Sequence, residues 1–211
     1  LLLIRDRPGI LPLFYAERDG RLYFASEMKS IFAGTGQVPE LDRIALDQIM
    51  TFWSAIPPRT AFEGVATLAP GEMMVVENGH CTKRRYWDWI FCRPDEYHAG
   101  NEAELARQLR ELLLDATLIR LRSDVPVGAY LSGGLDSSVL VSLIAGMAGI
   151  RLHTFSITFP DSKLDERLYQ DEMSKQLAVE HSRITCVPDD VAAGFVNAIW
   201  HIESPILRTA P

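Results

Sequence analysis

The stretch that decides the fold of this protein reads Tyr130-Leu131-Ser132-Gly133-Gly134-Leu135-Asp136-Ser137-Ser138. It follows an apolar, strand-like run and precedes a mostly apolar helical pattern. The small residues at 132–134 let the backbone turn tightly and bring its N–H groups close to an anion. A helix that begins here points its free N–H groups and the positive end of its dipole at the same spot. The segment therefore predicts a phosphate cradle at a strand-to-helix junction.

The cradle differs from a Walker A loop, which requires the pattern G-x-x-x-x-G-K-[ST]. Residues 132–138 contain no lysine, and an acid, Asp136, stands in the loop instead. A carboxylate beside phosphates is favourable when Mg²⁺ bridges them, because Mg²⁺ commonly combines carboxylates with phosphate oxygens. We therefore interpret Asp136 as a Mg²⁺ ligand, while Ser137 and Ser138 add hydroxyl donors in the first turn. The alternative interpretation is a plain Ser/Gly turn in which Asp136 caps the helix.

Strand-like and helical patterns alternate through residues 101–211. Asn101, followed by Glu104 three residues later, marks the start of a helix. The apolar positions of that helix fall on one predicted face, which comprises Leu105, Leu109, Leu112, Ala116 and Ile119. Further along, the patterns predict strands over 125–131, 152–159 and 183–187 and helices over 136–148, 165–179 and 189–201. Such alternation indicates βαβ units and a parallel sheet.

The first 86 residues follow a different pattern. Asp19-Gly20 and Asn78-Gly79 each lie between apolar runs, which is a strong signal for a β-hairpin. Short helices are predicted over 27–32 and 42–50, and the whole segment indicates an antiparallel, two-sided β structure. The predicted fold class is therefore α+β followed by α/β. The domains are expected over residues 1–95, which include a polar linker, and over residues 96–211.

Composition excludes several classes of function. The 211 residues carry 21 Lys and Arg against 28 Asp and Glu, a net charge of −7, with no basic run. This balance argues against nucleic acid or an anionic membrane as a partner. No apolar run approaches the roughly 20 residues needed to span a bilayer. The three cysteines, Cys81, Cys92 and Cys186, are widely spaced and odd in number, which fits a reducing cytoplasm better than a disulfide framework.

Residues 132–138 resemble the pyrophosphate loop (PP-loop) of the ATP pyrophosphatases, which cleave ATP between the α- and β-phosphates. Seven other segments resemble, in the same order, segments of the glutamine-hydrolysing asparagine synthetases. These segments are Arg5–Tyr15, Phe24–Lys29, Pro57–Gly64, Leu68–Gly71, Tyr86–Asp88, Val127–Leu131 and Phe155–Ile157. The resemblance covers essentially the whole chain. It implies that residues 1–95 are the later part of a glutaminase domain of the N-terminal-nucleophile type. Residues 96–211 would then begin an adenine-nucleotide α-hydrolase-like synthetase domain.

The resemblance implies an enzyme, an ATP-dependent carbon–nitrogen ligase of the asparagine synthase type. Members of the family hydrolyse glutamine with an N-terminal cysteine and pass the ammonia to β-aspartyl-AMP, which releases asparagine, AMP and pyrophosphate. The substrates and cofactors implied are aspartate, glutamine or ammonia, ATP and Mg²⁺, and a homodimer is among the states the family allows. None of the three cysteines matches the nucleophile. We expect the chain to be an internal piece of a longer cytoplasmic protein. By itself, this piece should have no glutaminase activity and little or no synthetase activity.

Residue by residue, the resemblance assigns pyrophosphate binding to Ser132, Gly133, Gly134, Ser137 and Ser138, and a Mg²⁺–pyrophosphate contact to Asp136. Leu131 and Ile157 match positions whose main chain meets the adenine. The segment Glu203–Pro211 resembles one that lines the aspartate and AMP site. Within it, Arg208 is predicted to hold a carboxylate or the α-phosphate, because a guanidinium fork can grip two oxygens at once.

Two other hypotheses compete with an asparagine synthetase. One is a paralogue such as a β-lactam synthetase, or an amidotransferase that acts on a peptide or glycan; such enzymes often lack the N-terminal cysteine. The other is a non-catalytic fragment or interaction module that retains the fold. The complete reading frame would separate these hypotheses, through residue 2 of the parent and through an S-G-[DE]-G-x-D-E segment after Pro211.

Overall fold

The computed structural model describes residues 1–96, 100–147, 150–160 and 165–207. The chain divides into two compact units, Leu1–Arg93 with Gly194–Pro211, and Pro94–Ala193. The break after Arg93 lies close to the expected domain boundary at 95/96. The grouping of Gly194–Pro211 with the first unit differs from the expected ranges, and a contact explains it. The carboxylate of Glu203 accepts hydrogen bonds from the backbone of Met28 and Lys29.

The first unit contains strands and two short helices: β1 (Leu2–Ile4), β2 (Phe14–Arg18), β3 (Arg21–Ala25), α1 (Met28–Thr35), α2 (Arg43–Phe52), β4 (Ala66–Thr67), β5 (Glu72–Glu77) and β6 (His80–Arg85). Both predicted hairpins are confirmed, since β2 pairs with β3 and β5 with β6 in antiparallel register. Their turn residues, Asp19-Gly20 and Asn78-Gly79, all have positive φ, between +50° and +79°. Positive φ at both central positions is what a type I′ hairpin turn requires.

Two antiparallel sheets, with strand orders β1-β5-β6 and β3-β2-β4, build this unit. Strand β2 contributes to two hydrophobic clusters, because successive side chains of a strand point to opposite faces. Tyr15 packs with Leu3 and Met74, whereas its neighbour Ala16 packs with Met28 of α1. The predicted two-sided β structure is therefore confirmed.

The second unit contains α3 (Glu102–Arg120), β7 (Gly128–Tyr130), α4 (Leu135–Ala145), β8 (His153–Thr158), α5 (Arg167–Gln176) and β9 (Glu180–Thr185), and the chain continues into α6 (Pro188–Ile202). The three strands form a parallel sheet in the order β7-β8-β9. Strands and helices alternate as predicted, which confirms the α/β character of this part. Its core is formed by Leu131, Val141, Ile144 and Leu152.

The predicted apolar face of α3 is wrong. Leu109, Leu112 and Ile119 are 57%, 69% and 54% exposed, whereas Thr117 is buried. Helix α3 contacts α4, and its buried residue, Thr117, lies outside the predicted apolar face. The N-terminus is as predicted, since the Asn101 side chain accepts a hydrogen bond from the N–H of Ala103. Among the helices within the described ranges, none is both long enough and apolar enough to cross a membrane.

Candidate nucleotide-binding site

The sequence predicts a phosphate cradle at residues 132–138, and the structure places this segment between β7 and α4. Leu131 follows β7, is fully buried, and donates its N–H to the carbonyl of Phe155 at 2.8 Å. Because β7 and β8 are parallel, their carboxyl ends lie at one edge of the sheet, where ligands of open α/β sheets bind. Helix α4 begins at Leu135 with Gly134 as its N-cap. Asp136 therefore lies in the first turn of the helix and is not its cap.

Gly133 turns the chain from the strand into the helix. Its φ is +95°, a conformation that L side chains rarely adopt. A Cβ built at this position would lie 3.0 Å from both the Cβ and the carbonyl oxygen of Glu166, and 3.3 Å from the Cβ of Tyr169. Glycine is therefore required here by backbone conformation and by the close approach of residues 166–169. Gly134 has an ordinary φ of −76° and carries no such requirement.

The serine hydroxyls brace the loop internally. Ser137 Oγ accepts from the N–H of Ser132 at 3.2 Å and lies 2.9 Å from Ser132 Oγ. The hydroxyls of Ser137 and Ser138 both donate to the carbonyl of Gly134, at 3.1 and 2.8 Å. These bonds hold the loop in one shape. In both serines the hydroxyl proton points to the carbonyl of Gly134 and not towards a bound anion. The predicted contact of Ser137 and Ser138 with phosphate stays a prediction.

Anion-binding capacity resides in the backbone of the first turn of α4. Within the described ranges, the N–H groups of Leu135, Asp136 and Ser137 have no hydrogen-bond partner. Free N–H groups at a helix N-terminus carry partial positive charge and attract phosphate. The loop built by β7 and α4 can therefore receive a phosphate from its backbone side.

Asp136 supplies the negative charge at the same place. Its carboxylate is exposed, and no hydrogen bond or ion pair engages it among the described residues. The structure groups no three His, Cys, Asp or Glu side chains into a metal cage within those residues. A single carboxylate still suits Mg²⁺, which completes its shell with phosphate oxygens and water. The donor chemistry of this loop therefore fits a Mg²⁺–phosphate ligand.

The two positions predicted to meet adenine differ in their surroundings. The side chain of Leu131 lies in the core, and its carbonyl accepts a short hydrogen bond from Ser156 Oγ. Ile157, near the end of β8, has a side chain that is 52% exposed. The carbonyl of Ile157 accepts from Gln170 Nε2 at 3.3 Å. The predicted main-chain contacts of Leu131 and Ile157 with adenine stay predictions.

Gln170 on α5 is a residue that sequence reasoning missed. It is only 1% exposed, and its Nε2 donates to the carbonyl of Ser132 at 3.0 Å as well as to Ile157. Its Oε1 is buried without a hydrogen-bond partner among the described residues. A buried, unsatisfied acceptor costs about 1–3 kcal/mol. In sequence, a glutamine within the polar run of α5 is typical of a solvent-exposed position, so no signal pointed to it.

The C-terminal candidate segment begins with a strained residue. Glu203 has a φ of +57°, and its nearly buried carboxylate accepts from the N–H groups of Met28 and Lys29, both at 2.6 Å. Lys29 Nζ also lies 3.7 Å from Glu203 Oε1. The carboxylate therefore caps α1. Arg208, the predicted carboxylate or α-phosphate ligand, lies outside the described residues.

Two histidines, His153 and His181, are hydrogen-bonded between neighbouring strands. His153 Nε2 lies 2.8 Å from Ser182 Oγ, and His181 Nδ1 lies 2.8 Å from Thr154 Oγ1. Burial lowers the pKa of His181 below its ordinary value. The three cysteines, Cys81, Cys92 and Cys186, are free thiols. Desolvation raises the pKa of the Cys81 thiol, which disfavours the nucleophilic thiolate.

Two family models match successive parts of the chain. The family model described as asparagine synthase matches residues 108–211, and the one described as glutamine amidotransferase domain matches residues 1–87. Asparagine synthetase [glutamine-hydrolyzing] 1 of Bacillus subtilis is 32% identical over 98% of this chain and 32% of its own length. The amidase chyE of Penicillium rubens is 33% identical over the same shares, and the amidase chry2 of Gibberella zeae is 31% identical.

These matches extend in order over nearly all of the chain. The chain belongs to the glutamine-hydrolysing asparagine synthetase family. It spans about a third of the length of the curated relatives it matches, since it covers 32% of the Bacillus protein. The relatives include proteins named as synthetases and proteins named as amidases, so membership fixes the family and leaves the acceptor substrate open.

Proposed function

We propose that the full-length protein carrying this chain is an ATP-dependent amidating ligase. It would cleave ATP between the α- and β-phosphates, join AMP to a carboxylate and replace AMP with ammonia drawn from glutamine. The observation that carries this proposal is the loop at residues 131–138. There, first-turn N–H groups and a carboxylate that have no partner among the described residues lie at the carboxyl edge of a parallel sheet. Family membership adds the reaction type.

In this proposal the two domains have separate tasks. Residues 1–95 belong to a glutaminase domain of the N-terminal-nucleophile type, and residues 96–211 begin a PP-loop synthetase domain. The family matches at 1–87 and 108–211 support this division. Ammonia would form in the first domain and react in the second.

The loop residues perform the binding work. Ser132, Gly133, Gly134, Ser137 and Ser138 would hold the β- and γ-phosphates, with the main chain of Leu131 and Ile157 beside the adenine. Asp136 would hold Mg²⁺, which neutralises charge on the pyrophosphate as it leaves. Because that charge grows towards the transition state, the contact stabilises the transition state more than bound ATP. Arg208 would grip the acceptor carboxylate or the α-phosphate.

Aspartate is the acceptor that we propose first, with asparagine as the product, because relatives named asparagine synthetases match the chain over nearly its full length. The relatives named amidases, at 31% and 33% identity, favour a second candidate in which the same activation serves another carboxylate. The two candidates share the cleavage of ATP and differ in the amide formed. Mass spectrometry of the amide product formed from each carboxylate separates them.

The role of Asp136 tests the proposed site. Asp136→Asn keeps the size of the side chain but removes the charge that Mg²⁺ requires. Loss of one such contact costs about 3–4 kcal/mol, or roughly 100- to 1,000-fold in rate. The measurement is pyrophosphate release by the full-length protein at saturating Mg-ATP, with circular dichroism to verify the fold.

Asp189→Asn is the matched control, since Asp189 is also an exposed acid in the first turn of a helix. It should leave the rate within about twofold of wild type, as expected for a surface substitution. A rate for Asp136→Asn within about threefold of wild type, a loss far below that of an electrostatic contact in the transition state, would contradict the metal-site assignment.

A further inference from the structure

One buried side chain links both segments of the proposed ATP site. Gln170 lies in α5, and its carboxamide nitrogen sits between two carbonyl oxygens, that of Ser132 at 3.0 Å and that of Ile157 at 3.3 Å. Both neighbours can only accept hydrogen bonds, so the amide must present Nε2 to them. Ser132 belongs to the phosphate loop, and Ile157 to the end of β8. Gln170 therefore ties these two segments together.

The polar character of Gln170 is not explained by stability. Its Oε1 is buried and finds no donor among the described residues, although the side chain is 1% exposed. An apolar side chain of the same shape would avoid leaving that oxygen unsatisfied. Native proteins seldom retain a buried acceptor without a hydrogen bond unless the side chain has another role. The group with a visible task is the Nε2 donor.

The start of α5 also forms the back wall of the loop. Glu166 and Tyr169 make the close approach that excludes a side chain at Gly133. The N–H of Gln170 is bonded to the carbonyl of Glu166 at 3.2 Å, so its backbone is fixed to the same wall. A carboxamide anchored in this way can set the distance between the loop and the strand end. Glu166 and Tyr169 limit the space beside Gly133, whereas Gln170 makes the two hydrogen bonds to the loop and the strand end.

We propose that Gln170 is a positioning residue for ATP: by holding the carbonyls of Ser132 and Ile157 it fixes the gap between the pyrophosphate loop and the adenine-side strand end. This inference rests on the proposed function. Gln170 makes no contact with reacting atoms in this scheme. Its loss should therefore weaken ATP binding and leave the chemical step nearly intact.

The test compares Gln170→Met with Gln176→Met in the full-length protein. Met keeps the length and shape of Gln but cannot donate a hydrogen bond. Gln176 is the matched control because it lies on the same helix, is exposed, and bonds only Glu172 within the described ranges. For Gln170→Met we expect KM for ATP to rise about tenfold or more, while kcat and KM for the acceptor stay within about threefold. The Gln176→Met protein should match wild type in all three.

Hydrogen exchange provides a readout that does not depend on activity. In the ligand-free protein, the hydrogen-bonded amides of the loop, those of Ser132, Gly134 and Ser138, should exchange at least about fivefold faster in Gln170→Met than in wild type or Gln176→Met. The urea midpoint of Gln170→Met should stay close to that of wild type, because removal of the orphan oxygen offsets the loss of the donor to the carbonyls of Ser132 and Ile157. The proposal would be overturned if Gln170→Met changed neither the KM for ATP nor the exchange rates of the loop amides. It would also be overturned if the KM for ATP and the exchange rates both rose while the urea midpoint fell, since that result indicates general destabilisation.

A second variant tests the donor itself. Gln170→Glu offers no hydrogen to the two carbonyls when ionised and one O–H donor when protonated. Its KM for ATP, relative to wild type at each pH, should fall as pH is lowered. A ratio independent of pH would contradict the role of the donor. If wild type releases no pyrophosphate from ATP, the proposed function fails, and the exchange rates of residues 132–138 still decide whether Gln170 positions the loop.

Discussion

Replacement of Gly133 by alanine tests the geometry of the loop most sharply. The residue has a φ of +95° and faces Glu166, whose carbonyl oxygen would lie 3.0 Å from a new Cβ. Alanine adds a single methyl group and no charge. The neighbouring Gly134 is a built-in control, because its φ is −76° and its nearest contact would be Ser132 Oγ at 3.4 Å.

The magnitude follows from these two features of Gly133. An L residue with a left-handed backbone costs about 1–2 kcal/mol. Crowding against a backbone carbonyl, which cannot rotate away, adds about 1–3 kcal/mol, typical of overpacking. Alanine also reduces the conformational entropy of the unfolded chain, which offsets about 0.4–1 kcal/mol of this cost. The net loss for Gly133→Ala is about 1–5 kcal/mol, whereas Gly134→Ala should stay within about 0.5 kcal/mol because a poorer N-cap offsets the entropy gain.

Native-state hydrogen exchange measures this difference where it matters. The central strand β8 (His153–Thr158) reports the stability of the second unit. A loss of about 1–5 kcal/mol corresponds to exchange roughly 5- to 5,000-fold faster in Gly133→Ala. Rates within about threefold of wild type, a difference below 1 kcal/mol, would refute the claim that glycine is required at this position. An equal effect from Gly134→Ala would show that the loop tolerates neither change and that φ is not the cause.

Two further predictions concern pH and capping. Asp42 caps α2 through the N–H groups of Ile44 and Ala45, and these bonds, with Arg59, hold its pKa below the ordinary value. The charged form therefore stabilises the fold above the unfolded pKa of about 3.9, and the contribution is lost as pH falls through the lower folded pKa. Asp42→Ala should lower the free energy of unfolding by about 0.5–2 kcal/mol at pH 7 in urea titrations, and by less in acid, with Asp47→Ala as an exposed control near zero. Burial lowers the pKa of His181, so the fold favours its neutral form, and stability present above the unfolded pKa of about 6.5 should decline as pH falls through the folded value. His181→Gln should flatten that decline between pH 8 and about 5, and an unchanged slope would contradict the assignment.

Local patterns predicted the elements whose causes are local. The hairpin turns at 19–20 and 78–79 follow from residues that accept positive φ, and both form. The helix start at Asn101 and the strand-to-helix turn at 131–135 also follow from adjacent residues, with an offset of one residue at the start of α4. Asp136 was open to a capping interpretation, which the structure excludes because Gly134 is the cap.

Features that depend on contacts between distant segments could not be predicted. Gln170 is buried because the loop 38 residues earlier in the chain covers it, and no periodic pattern encodes such a contact. The bond between Glu203 and the N-terminus of α1 spans 175 residues and lies within the first unit, to which residue 203 belongs. The face of α3 was mispredicted because apolar positions occur on more than one side of that helix, and tertiary contacts, not the local pattern, decide which are covered.

Isotope transfer shows directly whether ATP is cleaved at the α-phosphate by attack of a carboxylate. The full-length protein is incubated with Mg-ATP, glutamine or ammonia, and aspartate labelled with ¹⁸O in its side-chain carboxylate. We expect AMP and pyrophosphate in equal amounts, with one ¹⁸O atom in the phosphate of each AMP. Formation of ADP and phosphate, or of AMP without the label, would contradict it.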